Sequence, residues 1–450
     1  MTSRGNAECT NRRKLLMALG AGAMGGTAGC FNNDDAGSES GGTDRTDNSN
    51  GDTASGGESS DTPLKIGVGV PLSGDLAFFG KNIDPAVRYV ADQINGNGGI
   101  NGREVEVITN DTRVDPDQAV SMVQSFINVD EVDAIIGFTA ATLFKILDQV
   151  QENGVPYFAA TSSGDLVSRG GEYVYMVFPS DLLSGRAIGL TAAREEYNRE
   201  QSYERMGLLV AQGGLYRSFI DPIKRGFTAE GGEITETVEF QGGKSSYQSE
   251  AQRVVNSDPE IIAVLAGPSD VVKLMRACFN AGYEGQYIGG EDTTTDEFLA
   301  DAPSELTDGM LATLSTAPEY VDESFKDNVA ENLQEYSERD YGIGAWLAYD
   351  AMSVTGLAMK QAAANGNEIT RQNIADNIKG IGRPPGEIVR TYPDGAKVID
   401  NGGEVDFQGI RSDCNFSEQG NVSTPFNTLQ VRDGEWETIA QIPANLISEV

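Results

Sequence analysis

The chain has 450 residues, with 33 Lys and Arg against 68 Asp and Glu, no histidine and a formal net charge of −35. That balance excludes nucleic-acid binding, which needs basic stripes to neutralise phosphates. The missing histidine excludes Ser-His and Cys-His nucleophilic pairs and any imidazole pH switch.

In chain order, Asn11-Arg12-Arg13-Lys14-Leu15-Leu16 opens a basic stretch, followed by a small-residue apolar run from Met17 to Gly26 and then Thr27-Ala28-Gly29-Cys30. A short apolar run with positive flanks is a signal peptide rather than a membrane span. Arg12 and Arg13 resemble the twin-arginine export motif, and Thr-Ala-Gly-Cys resembles a lipobox in which Cys30 is lipidated. Residues 31–62 are Gly, Ser, Asp, Asn and Thr with little apolar surface to offset ordering entropy, so they read as a flexible acidic tether. The expected location is the extracellular face of the cytoplasmic membrane, with the chain held there by lipid; one acyl chain anchors only marginally, so more than one is expected.

Residues 63–450 are long enough for two domains with substantial cores. Leu64 to Val70 predicts a buried strand, and Asp84-Pro85 predicts a helix start with Val87, Val90, Ala91 and Ile94 on one face. Arg103 to Thr109 alternates as a strand, Asp115-Pro116 caps a second helix, and Val132 to Phe138 is a strand. Thr142 to Glu152 follows as a helix and Val155 to Ala160 as a strand. After a break near Phe178-Pro179 the rhythm resumes, with strands at 206–211, 233–240, 261–267 and 287–290. The stretch 324–380 reads as helical and returns to the first lobe, and 389–442 reads as strands and turns. Alternation of this kind predicts parallel sheets in an α/β fold. Two such runs predict two doubly wound, Rossmann-like lobes: 64–180 with 315–382, and 181–314 with 383–450. Ligands in such sheets bind beyond the carboxyl ends of strands where strand order reverses.

Enzyme signals do not hold up against the residues. Gly67-Val68-Gly69 begins like a dinucleotide fingerprint, but Leu72 stands where the third glycine belongs. Gly74 to Asn82 has the wrong spacing for a phosphate loop and Asn82 in place of the Mg²⁺-holding hydroxyl. Asp111, Asp115 and Asp117 read as structural acids, with Asp115 as an N-cap, so no metal and no cofactor are expected. Of the cysteines in the folded part, Cys278 and Cys414 form either a disulfide or two buried thiols.

The acids are spread along the whole chain, and only 11 of the 33 basic residues are Lys. At ~1 M salt the Debye length falls to about 3 Å and screens the self-repulsion of such a surface. The pattern resembles proteins of halophilic archaea.

Lys65-Ile66-Gly67-Val68-Gly69-Val70-Pro71-Leu72-Ser73-Gly74 with Phe79-Gly80 resembles the opening of the leucine/isoleucine/valine-binding protein family. The likeness runs on through Gly98-Gly99-Ile100-Asn101-Gly102-Arg103, Ile135-Ile136-Gly137, Gly154-Val155-Pro156, Ala159-Ala160-Thr161-Ser162 and Gly289-Gly290-Glu291. Members are type I periplasmic-type binding proteins of ABC transporters, whose two lobes, joined by three crossings, close on a solute. The resemblance therefore implies a non-enzymatic, monomeric substrate-binding protein that serves a permease and its ATPase. By the same resemblance, Ala159, Ala160 and Thr161 hold a ligand's carboxylate and ammonium. Glu291 pairs with the ammonium from the second lobe, and Phe79 and Tyr216 form aromatic walls. Where the family has a gripping serine, this chain has Ala140 or Ala141, leaving Thr139 or Thr142 as the available hydroxyl. A branched-chain amino acid or similar solute is expected. Amide or urea solutes, a ligand-sensing receptor subunit and a carboxylate-dependent hydrolase are the rival readings.

Overall fold

A computed structural model describes residues 62–73, 76–160, 171–199, 202–212, 216–317, 321, 323–339 and 341–448. The leader with Arg12, Arg13 and Cys30, the tether up to residue 61, and Thr161 lie outside the described residues. The first sheet comprises β1 (Leu64–Val70), β2 (Val105–Asp111), β3 (Ala134–Gly137), β4 (Tyr157–Ala159) and β5 (Val174–Tyr175) in the order β2-β1-β3-β4-β5. All its pairings are parallel. The second contains β6 (Arg205–Ala211), β7 (Glu233–Phe240), β8 (Ile261–Leu265), β9 (Gln286–Gly289), β10 (Leu311–Ser315), β13 (Phe426–Arg432) and β14 (Glu435–Ile442). Its order is β14-β13-β10-β9-β8-β6-β7, and only the last two strands of the chain run antiparallel to their neighbours. A parallel pair, β11 (Glu387–Val389) and β12 (Val405–Phe407), stands apart.

Both large sheets are covered on two faces. Leu64, Ile66, Val68 and Val70 pack against the helices Ala77–Gly96 and Ile343–Ala364, while Ile135 faces the helices Pro116–Asn128 and Ala140–Glu152. The second sheet buries Leu209 and Val264 on one side, and Leu208, Val210 and Ile288 on the other. Continuous apolar strands such as Ile261–Leu265 are therefore the expected reading of two-sided burial.

The glycines that imitated a dinucleotide fingerprint and a phosphate loop are packing devices. A Cβ on Gly69 would lie 2.2 Å from the Phe138 ring, and one on Gly80 would lie 2.0 Å from the Pro71 carbonyl oxygen. Asp115 is the expected N-cap, accepting from the Asp117 and Gln118 amides. Asp111 is likewise structural, accepting from the Leu72 amide and the Ser73 hydroxyl.

Three expectations need correction. The first long helix begins at Ala77, not at Asp84-Pro85, so Pro85 is inside it. Asp84 caps nothing there; its carboxylate pairs with Arg88 at 3.0 Å and accepts from Thr109. Residues 383–422 pack with the first lobe rather than the second: Val389, Tyr392, Phe407, Ile410 and Phe416 join the core of the first sheet. This segment also holds a helix, Tyr392–Asp400, capped by Thr391, within the stretch read as strands and turns. Of the two alternatives for Cys278 and Cys414, a disulfide or two buried thiols, the structure has the second: both are free and buried in different cores.

The chain passes between lobes three times, after β5, after β10 and before β13. These crossings lie side by side: the Met176 amide donates to the Gly420 carbonyl (2.8 Å) and the Thr316 amide to the Pro425 carbonyl (3.1 Å).

Candidate functional site

In the second sheet β6 lies between β7 and β8, so strand order reverses beyond Ala211 and Leu265. A cavity of about 310 Å³ opens there, at the lower end of the roughly 300–1,000 Å³ usual for small-molecule sites. Tyr216 and Ala266 come from the loops after β6 and β8, and Glu291, Asp292 and Thr293 from the turn after β9. Asp181 and Ile188 come from the helix Asp181–Ala193, Phe426 from β13, and Phe178 from the first crossing. The first lobe adds Ile343, at the start of the helix Ile343–Ala364.

Each of the three carboxylates is oriented by a hydroxyl. Tyr216 donates to Asp292 Oδ2 (2.7 Å), Ser218 to Asp181 Oδ2 (2.6 Å), and Ser315 to Glu291 Oε2 (3.1 Å). Glu291 has a further partner from the other lobe. Arg411 Nη2 lies 3.8 Å from Glu291 Oε1 and donates to the Ser315 carbonyl (3.1 Å) and hydroxyl. Its guanidinium sits 4.9 Å from the centre of the Phe178 ring, a cation–π contact. Burial pushes the Glu291 carboxyl up, with Arg411 and Ser315 pulling it down and Asp292 raising it further. Burial pulls the Arg411 guanidinium down, opposed by Glu291 and Asp350. Behind them Asp350, fully buried, accepts from the Ile410 and Arg411 amides at 2.7 Å each. Burial pushes its carboxyl up to about 7 against those hydrogen bonds. The Tyr216 hydroxyl is also pushed up, by burial first and then by Asp292.

Of the expected site residues, the structure gathers Tyr216 and Glu291 at this cavity. Phe79 does not line it; its ring packs against Gly344 and the first core, and its neighbour Phe78 is the exposed ring. Thr142 is fully buried and its hydroxyl donates to the Thr139 carbonyl (3.0 Å) within the first helical turn. Thr139 is buried, its hydroxyl without a partner among the described residues. Ala140 and Ala141 open the helix Ala140–Glu152 beside it. Ala159 and Ala160 are buried beside a void of about 10 Å³, shared with Ile83, Ile136 and Leu347, too small for a solute. The reading of the sequence missed Phe178, Asp181, Asp292, Phe426 and Arg411. Only Phe178-Pro179, noted as a break, and Asp292, next to Glu291, carried any local signal. Among the described residues no group of acids or cysteines is arranged to hold a metal ion. No helix among them is long and apolar enough to cross a membrane.

The sequence profile of the periplasmic binding protein family matches residues 63–435, and the chain belongs to that family. The leucine-, isoleucine-, valine-, threonine- and alanine-binding protein of Pseudomonas aeruginosa is 22% identical over 301 residues, covering 66% of this chain and 78% of that protein. The crystal structure of a leucine-binding protein from Thermotoga maritima has a TM-score of 0.64 at 20% identity, covering 85% of this chain and 99% of its own. A solute-binding protein of an ABC transporter from Rhodopseudomonas palustris, in complex with 3,4-dihydroxybenzoic acid, has a TM-score of 0.60 at 20% identity, covering 86% and 98%. These likenesses fix the fold as that of the type I periplasmic binding proteins.

Proposed function

We propose that this chain captures a small amino-acid-like solute for an ABC transporter, working outside the cell and tethered by lipid at Cys30. The observation that carries the reading is the 310 Å³ cavity at the strand-order reversal of the second sheet, with Tyr216 and Glu291 on its wall. Its first-lobe lining residue, Ile343, and the three adjacent crossings suit a mechanism in which a solute bridges the lobes and favours the closed form. A permease with its ATPase then reads the closed shape. Membership of a binding-protein family, and relatives that bind branched-chain amino acids, support this over the hydrolase reading.

A second reading, a solute without an α-carboxylate such as an amide or urea, is favoured by one observation. The Thr142 hydroxyl is spent inside its own helix, so the first lobe does not display it as a carboxylate grip. The test is mass spectrometry of whatever the purified chain releases on denaturation, followed by thermal shifts in molar salt. A ligand at a hundredfold excess over Kd stabilises by about 2.7 kcal/mol. Release of an intact amino acid that raises the melting temperature is the expected result; turnover of the solute, or no stabilisation by any solute, sinks the proposal. For the anchor, Cys30→Ser should move the protein from membranes to the medium.

A further inference from the structure

The chemistry of the cavity wall is more selective than solute capture alone requires. Its described residues include the carboxylates Asp181, Glu291 and Asp292 and no Lys or Arg. Four aromatic rings, Phe178, Tyr216, Phe219 and Phe426, share that wall, with Ile188 and Leu265 between them. Aromatic faces present the negative side of a quadrupole, so rings and carboxylates together favour positive charge. The wall already demonstrates the preference within the molecule: the Arg411 guanidinium lies over the Phe178 ring and against Glu291.

That internal cation changes which acid is open to a ligand. Glu291 faces Arg411, so its charge is opposed before any solute arrives. Asp292, in contrast, is oriented by a neutral donor, the Tyr216 hydroxyl at 2.7 Å, which sets its geometry without cancelling its charge. On the other lobe, Thr142 is turned into its helix, and among the described residues Ala159 and Ala160 line a void of about 10 Å³, too small for a solute. A solute carboxylate brought into the cavity would lose its hydration and meet three carboxylates there.

We propose that the cavity selects a small organic cation with an apolar substituent, seating its charged centre between Asp292 and the aromatic rings, and that a carboxylate on the solute is dispensable. This rests on the reading of the chain as a solute-capturing protein and names the charge class that reading leaves open. The ammonium donates hydrogen bonds to Asp292, and the apolar group lies against Phe219, Ile188 and Leu265. Ile343 of the first lobe, 37% exposed, is placed to cover it on closure.

The test uses the full chain, freed of bound solute by unfolding and refolding, and titrates three probes of one shape in molar salt by calorimetry. The probes are leucine, 3-methylbutylamine (leucine without its carboxylate) and 4-methylpentanoate (leucine without its ammonium). The amine should bind about as well as leucine or better, and the acid at least roughly tenfold more weakly, as expected for losing a charge-assisted hydrogen bond and adding like-charge repulsion. Asp292→Asn should weaken the amine about tenfold while the ligand-free melting temperature stays put. If that variant does not fold, Tyr216→Phe, which removes only the hydroxyl orienting Asp292, should weaken the amine by a smaller factor. Binding of the acid equal to or tighter than the amine overturns the cation assignment and leaves solute capture standing. So does release from the purified protein of a solute that carries no cationic group. If no solute is released and none of the three probes binds, both readings fall together.

Discussion

The two lobes share a doubly wound plan but treat their strand-order reversals differently. In the first, described residues pack tightly around the reversal beyond β1 and β3: the Phe138 ring sits where any side chain on Gly69 would go, and the Pro71 carbonyl lies where a side chain on Gly80 would go. In the second, the reversal beyond β6 and β8 stays open as a cavity walled by acids and rings. Equivalent positions in two similar sheets therefore carry different costs of substitution.

The largest expected effect is inside the first lobe, behind the Arg411–Glu291 contact that reaches the second. Asp350→Ala strands the Ile410 and Arg411 amides, and unpaired buried groups at about 1–3 kcal/mol each predict a loss of roughly 4 kcal/mol in urea unfolding. Unchanged stability would mean water replaces the carboxylate and its surroundings are less dry than they look. Next, Gly80→Ala drives a Cβ against backbone in the first lobe, where nothing can swing aside, and should cost about 3 kcal/mol. A cost well below that would show that the first reversal is as yielding as the second.

Arg411→Met leaves Glu291 without its counter-charge. Because the Glu291 side chain is a third exposed, the expected loss is about 2 kcal/mol, below the roughly 3–5 of a fully buried pair. Adding Glu291→Gln should restore most of it; a double variant as unstable as the sum of the singles would show the pair is not coupled.

The pH effect is smaller and has a definite sign. The Asp350 carboxyl binds its proton more tightly in the fold, about 7 against an ordinary 3.8. The folded state thus carries the extra proton between those values, so this group's contribution is fully present below about 4 and is lost as pH rises towards 7. Melting temperature should fall more steeply across that window in the native protein than in Asp350→Asn; parallel slopes would remove Asp350 from the account. Least of all, adding reductant should leave the melting temperature unmoved, since Cys278 and Cys414 sit in separate cores. A drop would reveal a bond.

Much of this was legible in the chain. Apolar runs such as Leu64–Val70 and Ile261–Leu265 announce strands buried on both faces, and Asp115-Pro116 announces a helix start, because these signals are local. Asp84-Pro85 carries the same local signal and is overridden: the surrounding core extends the helix back to Ala77 and gives Asp84 to Arg88. Tyr216 and Glu291 could be picked out by resemblance, each lying just after a strand of the second sheet.

What sequence alone determined is the two-lobed α/β plan, the acidic character and the absence of imidazole chemistry, since periodicity, capping and composition act within a few residues of one another. What only the tertiary structure decided is who meets whom. Arg411 reaches Glu291 across 120 positions of chain, residues 383–422 choose the first core, and Phe178, Asp292 and Phe426 converge on one cavity. Those contacts depend on how twisted sheets and three crossings return distant segments to one place, and no local pattern encodes that.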